Sequence, residues 1–164
     1  MQLNHFQLQL CKIQAKVFAL LYGQGYEPKE FVPAFMNSKV ASGLDASFHR
    51  FQWAGEEYLV EEVVEETGLT KCACSDEESA EAVFWAGYLY RYWHFVTGES
   101  SKEIYRQAQF DVLMDVYPGF HALDPEVAVE DLKNCAMRKL EKVNEVSRFF
   151  SDEIDLTPIK HGQS

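Results

Sequence analysis

The apolar residues Leu3, Phe6, Leu10, Ile13, Val17 and Leu20 follow one another at alternating steps of three and four. That period draws one apolar stripe along an α-helix; a strand would need its apolar residues at every second position. Stripes of the same kind return along the chain, and no segment shows strand alternation bounded by hairpin turns. The pattern predicts an all-α fold, an irregular bundle of about six or seven helices in a single domain.

Punctuation places the helices. Gly23 and Gly25 end the first. Its stripe is short and flanked by glutamines, which fits packing inside a bundle better than a free coiled coil. Pro28 suits a first helical turn and Pro33 interrupts, so residues 28–44 read as one or two short helices. Residues 46–68 read as one helix closed by Gly68, with Phe51, Ala54, Tyr58, Leu59 and Val63 on one side. The glutamate pairs Glu56-Glu57, Glu61-Glu62 and Glu65-Glu66 fall largely opposite.

Ser75 and Glu78 have capping-box spacing and open an aromatic helix of about 76–97, ended at Thr97-Gly98. Ser100 and Glu103 repeat that spacing, and Pro118-Gly119 is expected to break the helix they start. Asp124-Pro125-Glu126 supplies a cap, a proline for the first turn and an acid for the dipole. The last helix, roughly 125–150, carries Val129, Leu132, Ala136, Leu140, Val143 and Phe150. The domain is then 1–150, with 151–164 a polar tail. Trp-Ala-Gly-x-x-Tyr occurs at 53–58 and again at 85–90. A glycine within a helix costs about 1 kcal/mol relative to alanine, so Gly55 and Gly87 are expected to mark close helix contacts.

Composition narrows the function. With 164 residues, 47% of them hydrophobic, the chain can build a core without staples, so its four cysteines read as free thiols. Cys72 and Cys74 would need distant ligands to hold a metal; neither metal nor cofactor is expected. No apolar run reaches the roughly 20 residues of a membrane span, and the amino end lacks the layout of a secretory leader. The expectation is a soluble, cytoplasmic protein.

The net charge is −11. Ten acids against two bases put −8 of it between residues 49 and 82. A basic footprint for displacing nucleic-acid counterions is missing, so direct nucleic-acid binding is not expected. An acidic helix face suits a basic partner protein. Glu57, Glu61 and Glu65, four residues apart, are its candidate contacts.

A second candidate site lies in the aromatic helix and the turn after it. Arg91 and His94 are three residues apart and share a face. The turn Thr97–Lys102 ends on a helix start, whose free backbone N–H groups can bind an anion. Ser100, Ser101 and Lys102 would join Arg91 and His94 in such a ligand site. The same residues have capping roles, and Arg91 and His94 are also expected partners for the polar atoms of Tyr88, Tyr90, Tyr92 and Trp93. Phosphate-binding loops, dinucleotide fingerprints, serine-hydrolase elbows and Glu-x-x-His motifs are missing from the sequence. His121 and Asp124 read as a loop histidine beside a capping aspartate.

The stretches FMNSKVASGLD, HRFQWAGEEYLVEE, YRYWHFVTGESSKEIY and FHALDPEVAVEDL together resemble a group of small uncharacterised proteins of gut Firmicutes. The likeness covers about residues 30–133. The group resembles accessory members of toxin–antitoxin-like loci, and no catalytic residue carries over from it. The expected function is a protein-binding module of the antitoxin, immunity or defence-inhibitor type. The alternative is a small-ligand or anion-binding protein, or an enzyme, built around Arg91, His94 and the Thr97–Lys102 turn.

Overall fold

Asn4 and Gln7 start the first helix. The Asn4 side chain accepts from the Gln7 N–H at 2.8 Å, and the Gln7 side chain accepts from the Asn4 N–H at 3.0 Å. A computed structural model describes residues 2–72 and 77–155. Their order is α1 (His5–Gly23), α2 (Pro28–Met36), α3 (Lys39–Asp45), a single 3-10 turn (Arg50–Trp53), α4 (Glu56–Thr67), α5 (Ala80–Thr97), α6 (Ser101–Gln107), α7 (Phe110–Phe120) and α8 (Pro125–Asp155). The fold is all-α, with eight α-helices and no strand among the described residues. None of these helices is long and apolar enough to cross a membrane.

Four expected boundaries move, each for a physical reason. α2 carries Pro33 inside it, because Phe31, Val32, Phe35 and Met36 on either side are all buried. Their burial outweighs the roughly 3 kcal/mol that an interior proline costs. Residues 46–68 are not one helix. Gln52 donates to the carbonyls of Gly43 (3.3 Å) and Ala46 (2.6 Å) and holds the chain out of helical conformation there, while Gly55 is the extended N-cap of α4. α5 begins at Ala80, capped by the Ser79 hydroxyl, which accepts from Ala82 N–H at 3.1 Å; Ser75 lies outside the described residues. The break after α6 falls at Ala108, not at Pro118-Gly119. Tyr90 donates its hydroxyl to the Ala108 carbonyl at 2.7 Å and fixes that residue extended, while Pro118 sits within α7.

α1 and α5 are the central pair. The face of α1 that is buried runs through Leu10, Cys11, Gln14, Ala15, Val17, Phe18 and Leu21. It is turned from the expected stripe, so that Phe6 is exposed and Ile13 and Leu20 half-buried. Gly87 explains the turn. A Cβ placed there would lie 2.9 Å from the Ala15 Cα, the Gln14 carbonyl oxygen and the Phe18 ring. The two backbones meet where a side chain has no room. Phe18 then fills the core edge-on to Phe31 and Phe35, at ring distances of 5.7 and 5.1 Å. At Gly55 a Cβ would find nothing nearer than the Glu57 carboxylate at 3.7 Å, so the Trp-Ala-Gly echo marks a close contact in its second copy alone.

Gly87→Ala therefore pits better helix propensity against two immovable backbone atoms. Overpacking of this kind costs about 1–3 kcal/mol, and the propensity gain offsets up to about 1 kcal/mol of it. The midpoint of urea unfolding should fall; a rise would show that α1 can retreat without loss.

Candidate functional site

Arg91 has no solvent exposure, although it carries a charge at any ordinary pH. Its guanidinium is held by groups from three other helices. Nε donates to the Gln14 side-chain oxygen of α1 at 2.7 Å, and Nη1 to the Asp45 carboxylate at the end of α3 at 2.6 Å. Nη2 reaches the Ala41 carbonyl at 3.4 Å and the Ser101 hydroxyl at 3.3 Å. Burial pulls the guanidinium below its ordinary value, and Asp45 pushes it back up. The Gln14 amide nitrogen, facing the other way, has no hydrogen-bond partner among the described residues.

Asp45 is the second hub. Besides Arg91, its carboxylate accepts from the Ser101 N–H at 2.8 Å and the Ser101 hydroxyl at 2.7 Å. The first turn of α6 thus receives an anion, as the glycine turn before it predicts, but the anion is a side chain of the same protein. His94 stands beside it, its Nδ1 3.6 Å from Asp45 and 2.6 Å from the Glu99 carbonyl. The shorter contact fixes the tautomer: Nδ1 carries the proton and donates to Glu99. Burial first, and the neighbouring Arg91 second, lower the basicity of His94.

The structure therefore brings Arg91, His94 and Ser101 together and leaves the other two members of the expected ligand set outside. Ser100 caps α6 by accepting from Glu103 N–H at 3.2 Å, and Lys102 faces solvent. A small anion at Arg91 would have to displace Asp45. The aromatic polar atoms find different partners from those expected: Tyr90 donates to Ala108, and Trp93 Nε1 donates to Glu99 at 3.3 Å. Burial alone would raise the Glu99 carboxyl, but Lys133, Gln107 and Trp93 all donate to it and hold it below its ordinary value. Glu99 so ties the turn to α8. Asp124 caps α8 through Glu126 N–H at 2.9 Å while His121 bonds the Tyr117 carbonyl, so each is bonded to its own turn and not to the other. Among the described residues no group of three or more His, Cys, Asp or Glu side chains is placed to hold a metal, and Cys74 lies outside them.

Glu57, Glu61 and Glu65 are all exposed on α4. Each step of four advances about 40° round the helix, so the row winds from one flank to the other. Glu57 lines a shallow cleft with Lys16, Ala19 and Leu20 of α1. Glu65 lines another with Lys39, Arg50 and Phe51. At the head of the row Trp53 is 67% exposed, leaning on Phe6 at a ring distance of 5.0 Å. Arg50 donates to the Tyr58 hydroxyl at 3.3 Å. Asp45 and Gln14, the residues that complete the Arg91 network, escape sequence reading: one is a helix-end acid and the other a glutamine beside an apolar stripe.

No known protein family, curated protein or solved structure matches the chain.

Removing one partner of a buried ion pair leaves the other uncompensated, at a cost of about 3–5 kcal/mol. Asp45→Ala should lose that much in chemical denaturation, whereas an exposed-acid control such as Glu61→Ala should change little. Equal effects would mean that Arg91 finds another counter-charge. His94 gives a pH signature. Its folded value lies below the ordinary 6.5, so the unfolded chain takes up the proton first as pH falls. Stability is complete above the ordinary 6.5 and declines as pH falls from there towards the lower folded value. His94→Gln should flatten the decline; an unchanged pH profile would place the titrating group elsewhere.

Proposed function

We propose that this protein works in the cytoplasm by binding another protein, which it holds or neutralises in the manner of an antitoxin, an immunity protein or an inhibitor of host defence. The observation that carries this reading is a contrast. Of the polar groups best suited to a ligand, Arg91 and Ser101 are bonded to each other and to Asp45, and His94 donates to the Glu99 carbonyl. The row Glu57, Glu61 and Glu65 stands in solvent, next to an outward-facing Trp53. An aromatic anchor beside a run of acids suits a basic protein surface, because tryptophan supplies contact area and the carboxylates steer encounter.

The test begins with a partner captured from the native host and identified by mass spectrometry. Replacing Glu57, Glu61 and Glu65 together with glutamine removes like-charge neighbours that cost a few tenths of a kcal/mol each, so the fold should stay intact or gain slightly. Association with the partner should slow about tenfold at low salt. The deficit should shrink near 1 M salt, where the Debye length is about 3 Å. An unchanged association rate at low salt, read by surface plasmon resonance, would reduce these glutamates to a solvated face.

A further inference from the structure

The expected stripe of the last helix is real, but only its beginning is covered. Ala128, Val129 and Leu132 are buried against the bundle. From Met137 to Glu153 every side chain of α8 is exposed. Met137, Leu140, Val143, Val146 and Phe150 are 54–64% exposed. Val129, Ala136, Val143 and Phe150 recur every seven residues, with Leu140 and Ser147 between them. This is the apolar seam of a coiled coil. It stands on an arm of about 27 Å from Ala136 to Glu153, flanked among the described residues only at its root, where Arg106 and Gln107 of α6 face Ala136, Leu140 and Val143.

Charge identifies the missing helix. Between residues 133 and 144, Lys133, Arg138, Lys139 and Lys142 against Glu141 leave +3. Between 145 and 153, Glu145, Asp152 and Glu153 against Arg148 leave −2. A parallel copy would set the Arg138, Lys139 and Lys142 clusters side by side. An antiparallel copy sets the basic root of each arm against the acidic tip of the other. With Val143 opposite Ser147 of the second copy, Leu140 meets its Phe150, and Lys139 at the edge of the seam lies beside its Glu153. The same contacts repeat at the other end by two-fold symmetry.

The root is also shaped for the tip. A cleft of about 330 Å³ between α6 and α8 is lined by Ala136, Leu140 and Val143, with Arg106 and Lys139 among its edges. An apolar floor with cations is the complement of a tip that carries Phe150 and, beyond Ser151, two acids. We infer that the protein is an antiparallel homodimer joined through the exposed length of α8, the tip of each arm seated in the root cleft of the other. This surface is separate from the acidic row on α4, so either can fail without the other.

The test uses the full chain in light scattering after gel filtration, at micromolar and higher concentrations. The parent should read twice the chain mass. Leu140→Glu and Phe150→Glu, both at exposed positions, should read the single mass with unchanged circular dichroism. Direction is read by cysteine pairing with Cys72, Cys74 and Cys135 replaced by serine. Val146→Cys, near the two-fold axis, should form an interchain disulfide under mild oxidation. Leu140→Cys should not, because its two copies lie at opposite ends. A parent that stays monomeric overturns the inference and leaves the arm to a different protein. A disulfide from Leu140→Cys and none from Val146→Cys overturns the antiparallel register.

Discussion

One buried guanidinium sets the geometry of the bundle. Arg91 on α5 reaches α1 through Gln14, α3 through Asp45 and Ala41, and α6 through Ser101. A charge without exposure is tolerated only while its donors are matched, and losing one counter-group costs more than the pair contributes. The four helices therefore cannot slide past one another independently. Gly87 makes the arrangement reachable. It lies one turn before Arg91 on the same face, and the absence of its side chain brings α1 close enough for Gln14 to meet the guanidinium. The tightest backbone contact and the buried charge are two parts of one joint.

That joint explains why Arg91 and Ser101 do not open onto solvent. The N-terminal turn of α6 attracts an anion, and Asp45 supplies one from within. His94, made less basic by burial and by Arg91, is tied by its Nδ1–H to a carbonyl. Arginine, histidine, serine and a helix start together usually invite a catalytic reading. Here the same groups close a helix junction, and Glu99 extends the junction to Lys133 on α8. Outside the junction stand an acidic face led by Trp53 and an arm whose seam is exposed.

The two surfaces differ in kind. The row on α4 is charged and winds about its helix, a geometry that favours long-range steering over close packing. The arm on α8 is apolar along one line with opposite charge at its two ends, a geometry that favours a single register. Both stand on helices whose inner turns are anchored in the core, at Leu59, Val60 and Val63 for α4 and at Ala128, Val129 and Leu132 for α8. The surfaces are thus presented by the same core that Arg91 locks.

Local energetics were readable in the chain itself. The three-and-four spacing from Leu3 to Leu20, the capping box Ser100–Glu103 and the Asp124-Pro125 start of α8 each depend on residues within a turn or two of one another, so the sequence by itself determined that the protein is all-α and where several helices begin. Gly87 also announced a close contact, though its twin Gly55 became a cap. The rest was decided only when distant segments met. The Arg91–Asp45 pair joins residues 46 positions apart and the Arg91–Gln14 bond 77. The break at Ala108 is imposed by a hydroxyl from α5. A stripe states that a face is apolar but not whether anything covers it; the bundle ends beside Leu132, so Leu140, Val143 and Phe150 emerge from it bare. Periodicity records the energy of turns within one helix, whereas burial and pairing belong to neighbours that tertiary packing alone supplies.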